Sequence, residues 1–348
     1  MIFRPLEPGE LDLVPPLLVR DPVSALTPER FRARIGTGEY RPERIWIAEE
    51  SPGAAPVAAA IWWGTAQEPQ LAALDWLYAT TTDRIPIATG LLTAAHQAYA
   101  ADGLERPPDY HLFLPADWRE RPDVATALTW RLEAARRAGL THPLERLRYE
   151  WTPASGAPPQ RSGRLGFRPE ADDEVFVDVF SQVLAGTLDA TTRKEAEASG
   201  TRTQARKDVA FYRDRMEGQR SWWRIAETPS GEIAGFGIPS KNTEFPVVGY
   251  LGVVPGHRGH GYVDEILAEV TRILVAEAGA TAIHADTDLE NLPMAAAFER
   301  AGYRITGRRL VLSARRPLRP PAQASPATET SRPSGVPRTP TPGCRRHR

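Results

Sequence analysis

Arg258, Gly259, His260 and Gly261 combine basic character with two positions that lack a Cβ. They follow an apolar, β-branched run that ends at Pro255. They precede Val263, Ile266, Leu267, Val270, Ile273 and Leu274, which recur at helical spacing. Strand, Gly-rich turn and helix in that order aim free backbone N–H groups and the positive end of a helix dipole at an anion. Glycine there lets the backbone come close to a phosphate. The chemistry this spacing supports is recognition of a phosphate-bearing ligand.

Two nucleotide patterns fail on the same residues. A P-loop needs Lys followed by Ser or Thr after its glycines, and neither pair is present. A dinucleotide fingerprint needs a third glycine three residues beyond Gly261, where the chain has Asp264. A second motif lies about thirty residues downstream. There an apolar-rich strand (Ala282, Ile283, Ala285) runs into acids and Asn291, a helix starts near Pro293, and Gly302 closes it.

Together these residues resemble the GCN5-related N-acetyltransferase (GNAT) superfamily. Its acyl-CoA loop reads Gln or Arg, two residues, Gly, one residue, then Gly or Ala, usually after a strand ending in Val-x-Pro. Val253, Pro255, Arg258 and Gly261 match it, while Val263 stands where the family has a small residue. Asn291, Met294, Phe298, Gly302 and Tyr303 fit the family's later motif. The resemblance covers residues 163–316 and implies acetyl-CoA as co-substrate. Residues 258–263 (Arg258, Gly259, His260, Gly261, Tyr262, Val263) would hold its pyrophosphate through main-chain N–H groups, with Asn291 and Phe298 in the same site. The main chain of Leu251 and Val253 would meet the pantetheine arm, and an amide near Val253 or Val254 would meet the thioester carbonyl.

Acetyl transfer to an amine needs a group that takes a proton, a donor to the thioester oxygen and an acid for the departing thiolate. Glu244 is the first candidate base, because related enzymes often carry a carboxylate on the strand leading to the loop. Asp286 and Asp288 rival it at the end of the next strand. Much of the family has Tyr where this chain has Phe298, which has no proton to give, so Tyr250 and Tyr303 are the alternatives. Each of these acids also reads as an ordinary solvated carboxylate, and Tyr303 as a core aromatic. His257 and His260 stand three apart, but no acid or Cys completes a zinc set, so no metal is expected. Trp222 and Trp223 read as neighbours on a strand of 221–227 facing opposite sides, so at most one of them lines a pocket. The polar stretch 186–216 offers Asp189, Arg206 or Tyr212 to the acceptor.

The elements that position these groups occur twice. Phe3-Arg4-Pro5 returns as Phe167-Arg168-Pro169, residues 44–64 parallel 224–240, and residues 74–84 parallel 248–258, so Arg84 falls opposite Arg258. After Arg84 the glycines are gone, Pro86 has no N–H, and Ile85 and Ile87 stand where phosphate oxygens would sit. The expected fold is α/β: two tandem GNAT-like domains, each a mixed, mostly antiparallel twisted sheet flanked by helices. Residues 1–151 form a degenerate copy, 152–162 a linker and 163–316 the acetyl-CoA-binding copy. Residues 317–348, with eight of the 33 prolines and six Arg, read as a disordered tail.

The only cysteine, Cys344, lies in that tail, which excludes an internal disulfide and a catalytic thiol in either copy. A net charge of −1 argues against general nucleic-acid binding. No apolar run approaches the ~18 residues of a membrane span, and the N-terminus lacks the apolar core of a signal peptide. A cytoplasmic monomer or homodimer acting on a small-molecule amine is the expected reading. Its rivals are a non-catalytic acyl-CoA sensor and a protein N-acetyltransferase.

Overall fold

The computed structural model describes residues 1–18, 21–65, 71–157 and 162–314. The tail from 317 to 348 and part of the expected linker lie outside these. The N-terminal half runs β1 (Ile2–Pro5), α1 (Pro28–Gly36), β2 (Ile45–Glu49), β3 (Ala58–Trp63), β4 (Ala73–Ala79), α2 (Arg84–Ala101), β5 (Asp109–Leu114), α3 (Pro122–Arg137) and β6 (Leu140–Trp151). The C-terminal half opens with β7 (Gly166–Arg168), α4 (Asp173–Leu184), α5 (Ala190–Ser199) and α6 (Thr201–Asp214). It continues β8 (Arg224–Glu227), β9 (Ile233–Lys241), β10 (Pro246–Val253), α7 (Tyr262–Ala276), β11 (Ile283–Asp288), α8 (Leu292–Arg300) and β12 (Arg304–Ala314). The order repeats, with α4 to α6 where the first half has α1. The chain therefore carries two tandem copies of one mixed α/β, mostly antiparallel fold.

All the strands join one sheet in the order β1-β2-β3-β4-β5-β12-β6-β11-β10-β9-β8-β7. The two halves mirror each other about the β12–β6 pair, and there they exchange their last strands. β6 pairs antiparallel with β11, while β12 pairs with β5 and with β6. Side-chain alternation carries the exchange into the cores. Leu147, Tyr149 and Trp151 of β6 are buried with Ile283, Phe298 and Tyr303 of the C-terminal half. Leu310, Leu312 and Ala314 of β12 are buried with Leu91, Leu92 and Leu128 of the N-terminal half. The sheet thus does not divide at the 152–162 linker.

In each half one parallel pair opens into a V. β4 meets β5 only at Ala73–Asp109 and Leu74–Tyr110, and β10 meets β11 only at Val247–His284. The helix that follows the first strand of each V packs under it through a regular apolar face. In α7 that face is Ile266, Leu267, Val270, Ile273 and Leu274, all buried. In α2 it is Ala88, Leu91, Leu92 and Ala95. Among the described residues, no helix is long and apolar enough to cross a membrane.

Candidate active site

β10 breaks its pairing with β9 between Val248 and Tyr250, leaving a bulge at Gly249. A Cβ at Gly249 would stand 2.8 Å from the Ile238 carbonyl oxygen and 3.0 Å from the Tyr212 ring, so only glycine fits. Tyr212, on α6, donates its hydroxyl to the Gly249 carbonyl at 2.7 Å and pins the bulge from above. Beyond it the Val254 N–H donates to the Ala234 carbonyl at 3.0 Å. In an antiparallel ladder this directs the polar groups of Gly252 and Val254 to β9 and those of Leu251 and Val253 to the other side. That other side is the open V. The Leu251 main chain and the Val253 N–H therefore face it, while the Val253 carbonyl accepts from Arg258. Val254 differs: its N–H is already used and its side chain is buried.

The loop after β10 ends at the N-terminus of α7. Gly259 and Gly261 have φ of +83° and +73°, the left-handed region that glycine favours. Gly261 caps α7 with no side-chain hydrogen bond; the Asp264 N–H donates to the Gly261 carbonyl at 3.1 Å, and the amides of Tyr262 and Val263 before it have no intrahelical partner. Acids in that turn face other partners. Asp264 is held by Arg300 at 2.7 Å and Glu265 by Arg164 at 2.6 Å. The side chain of Arg258 is spent inside the fold. Its Nε donates to the Val253 carbonyl at 3.1 Å, and its two terminal nitrogens donate to the carbonyls of Ala185 (3.0 Å) and Val183 (2.9 Å) at the end of α4. It clamps the loop to α4. His260 turns its ring against Tyr262, and among the described residues no group of three or more His, Cys, Asp and Glu is placed to hold a metal ion.

The corresponding V of the N-terminal half is plugged. Arg131, on α3 and 1% exposed, donates Nε to the Leu77 carbonyl at 3.2 Å and pairs with Asp21 at 2.7 Å. By the repeat, Leu77 matches Leu251, so a guanidinium occupies the polar edge that stays open in β10. α2 begins at Arg84 itself, and Ile85 and Ile87 pack against the core. The bulge survives as Asp75, which accepts from the Tyr40 hydroxyl.

A cavity of about 1500 Å³ lies between the halves and reaches from the α7 loop to α1. Most expected site residues line it: Tyr250, Leu251, Val253, Arg258, Gly259, Gly261, Tyr262, Val263, Asp286, Asn291, Phe298 and Glu244, but not Val254 or His260. Asn291 uses its side-chain oxygen to cap α8 at Met294. Phe298 stacks on Tyr149 of the exchanged β6, ring centroids 5.0 Å apart.

The acids differ in their partners. Glu244 lies in the loop before β10 and not on the strand. Burial raises its carboxyl, but Arg30 and Arg34 of α1 outweigh burial and hold it below the ordinary value. Asp286 pairs with Arg309 at 2.8 Å and lies 3.7 Å from Arg148, two arginines that the exchanged strands supply. Asp288 accepts from the Ala190 N–H at 2.7 Å, and burial raises its carboxyl. Asp189 caps α5 and pairs with Arg146 at 3.3 Å.

Tyr250 packs between Phe180 and Phe236, and burial raises its phenol. Tyr303 is buried, with its hydroxyl 2.8 Å from Thr271. Arg206 turns away to Glu174. Trp222 and Trp223 are not strand neighbours as expected: Trp222 ends a 3-10 turn and Trp223 precedes β8, and both are buried in separate cores with neither lining the cavity.

Sequence reasoning passed over Asp208 and the arginines of β6 and β12. Asp208 lines the cavity four residues before Tyr212, and burial pushes its carboxyl up to about 7. The spacing of Gln204, Asp208 and Tyr212 along one helix face was the available signal.

Residues 164–304 match the family model of the acetyltransferase (GNAT) domain. No curated protein matches the chain. Among solved structures, the chain is similar to a GCN5-related N-acetyltransferase from Sphaerobacter thermophilus, with 17% identity, 92% of this chain and 97% of that one covered, and a TM-score of 0.54. It is also similar to a tandem GNAT protein from the clavulanic acid biosynthesis pathway, with 18% identity, 90% and 98% covered, and a TM-score of 0.50. A third likeness is to a glucosamine N-acetyltransferase region of a fungal multi-domain β-N-acetylglucosaminidase, with 14% identity, 89% and 38% covered, and a TM-score of 0.52. Identities this low carry the fold alone.

Proposed function

We propose, from the match of residues 164–304 to the GNAT acetyltransferase family model, that the chain transfers an acetyl group from acetyl-CoA to the amine of a small molecule, at one site in its C-terminal half. The observation that carries this reading is the contrast between the two V-shaped openings. The one beside β10 has unused main-chain groups and an uncapped helix start at its mouth, and the one beside β4 is filled by Arg131 and Asp21. Pyrophosphate meets the first-turn amides of α7, and pantetheine lies along Leu251 and Val253. Tyr250 is our donor to the departing thiolate, since a buried phenol stays protonated at neutral pH. A cavity walled by both halves favours a small acceptor over a protein chain.

Phe298 favours a second reading, acyl-CoA binding without turnover, because the family's usual proton donor is missing there. Calorimetry with acetyl-CoA and a thiol-release assay with DTNB across primary amines separate the two. Binding with release identifies a transferase. Binding without release on any amine identifies a sensor, and no binding sinks both. Gly261→Pro, which cannot adopt φ of +73°, is expected to weaken acetyl-CoA binding at least tenfold.

A further inference from the structure

We propose that Asp208 is the group that takes the proton from the acceptor amine, an inference that rests on the acetyl-transfer reading above. The geometry begins with α6. Gln204, Asp208 and Tyr212 follow one another at four-residue spacing and so share one helix face, each about 6 Å from the next. The end of that stripe is anchored on the site, since the Tyr212 hydroxyl meets the bulge carbonyl of Gly249 at 2.7 Å. Asp208 is thereby held about one helical turn from the tyrosine that pins the β10 bulge, and it lines the cavity between the halves. Its Oδ1 accepts from the Gln204 amide at 3.0 Å. Its Oδ2 is shielded from solvent and has no hydrogen-bond partner.

Among the other carboxylates that line the cavity, Asp75 pairs with Arg34, Glu39 accepts from Thr243, and Glu195 on α5 accepts from the other side of the same Gln204 amide and is also raised by burial. Glu244 is held by Arg30 and Arg34, Asp286 by Arg309, and Asp189 by Arg146. Asp208 has no such cation. Lys207 on the same helix acts on it only weakly, and Glu195 and Asp189 oppose its ionisation from α5 and its cap. Tyr212 on α6 and Tyr250 on β10 feel its field, and Arg146 of β6 bears on the same two phenols. Glu174 and Asp178 of α4 are spent on Arg202 and Arg206, on the opposite face of α6. A carboxyl that titrates near neutrality, as burial makes this one do, is matched to exchanging a proton at physiological pH.

In the step, the acceptor ammonium gives one proton to Asp208. The nitrogen lone pair then bonds to the thioester carbonyl carbon, and the C–S bond breaks with its electron pair on sulfur. The second nitrogen proton ends on the thiolate, through Tyr250. Asp208 returns its proton to water, so the sum is amide, free thiol and one proton released.

The test is the pH profile of kcat/KM for DTNB-detected release, with an α-amino acid, an aminosugar, a polyamine and a peptide with a free N-terminus as acceptors. Wild type is expected to show a rising limb with an apparent pKa of about 7. Asp208→Asn is expected to lose that limb and about 100-fold or more of kcat/KM at pH 7.5, with acetyl-CoA affinity by calorimetry within threefold of wild type. Asp208→Glu is expected to restore the limb in part. An unchanged limb in Asp208→Asn overturns the proposal and leaves the transferase reading standing. Acetyl-CoA binding with no release from wild type on any acceptor overturns both.

Discussion

Arg258 and Asp208 show how far a residue's type can mislead and how far its partners correct it. Arg258 fits a phosphate-binding motif, yet its guanidinium is spread over the carbonyls of Val183, Ala185 and Val253. Arg258→Ala is therefore expected to lower stability by about 1–2 kcal/mol and to weaken acetyl-CoA binding by loosening the loop. Arg258→Lys should rescue neither, because an ammonium cannot reproduce the fork. Thermal melts and calorimetry check both variants; full affinity in Arg258→Ala would mean the clamp is irrelevant to the loop. For Asp208 the sign of the pH effect follows from burial. Its carboxyl releases its proton near 7 in the fold and near 3.8 in the open chain. The protonated form thus favours folding, and that contribution fades as pH rises from about 4 through 7. Asp208→Asn removes the liability, so its melting temperature should exceed that of wild type at pH 8 and draw level with it near pH 4. Equal gaps at both pH values would place Asp208 in a solvated setting.

At the scale of elements, local spacing was the readable part. The α7 loop, the Asn291-to-Tyr303 helix and the order of strands in both halves follow from turn residues and apolar periodicity that a short window contains. What escaped was pairing over distance. Alternation in Leu310, Leu312 and Ala314 says that one face of β12 is buried, and it is silent about whose core receives it. The plug escaped for the same reason: Arg131 sits in a helical pattern in which arginine is usual on the outside, and its partner Asp21 is 110 residues away. Missing glycines after Arg84 pointed to a copy that does not bind acyl-CoA, and the Arg131–Asp21 pair supports that reading on a ground the sequence did not offer. Removing one member leaves the other buried without its partner. Arg131→Ala is thus expected to destabilise the chain by about 3–5 kcal/mol while acetyl-CoA still binds at one site. A second binding event in calorimetry would show that the plug alone closes the first V.

The whole molecule is tied together by the exchange, and this bears on how the site is built. Arg148 of β6 and Arg309 of β12 flank Asp286, Tyr149 of β6 backs Phe298, and Arg30 and Arg34 of α1 hold Glu244. The β12–β6 ladder runs from Arg304–Glu150 to Ala314–Leu140, the longest in the sheet. A half expressed alone therefore carries a last strand whose core belongs to the other half, and lacks the strand that its own core requires. Residues 1–151 and 163–314, produced separately, are expected to aggregate or to form swapped homodimers. Produced together, they are expected to co-purify as a one-to-one complex that binds acetyl-CoA, because the ladder needs no covalent link through the connecting segment. Light scattering after size exclusion reads the stoichiometry, and calorimetry reads the binding. Two stable monomeric halves, with the C-terminal one binding acetyl-CoA at the affinity of the intact chain, would mean that each half can close on its own last strand. The exchange would then be a packing preference and not a requirement of the fold.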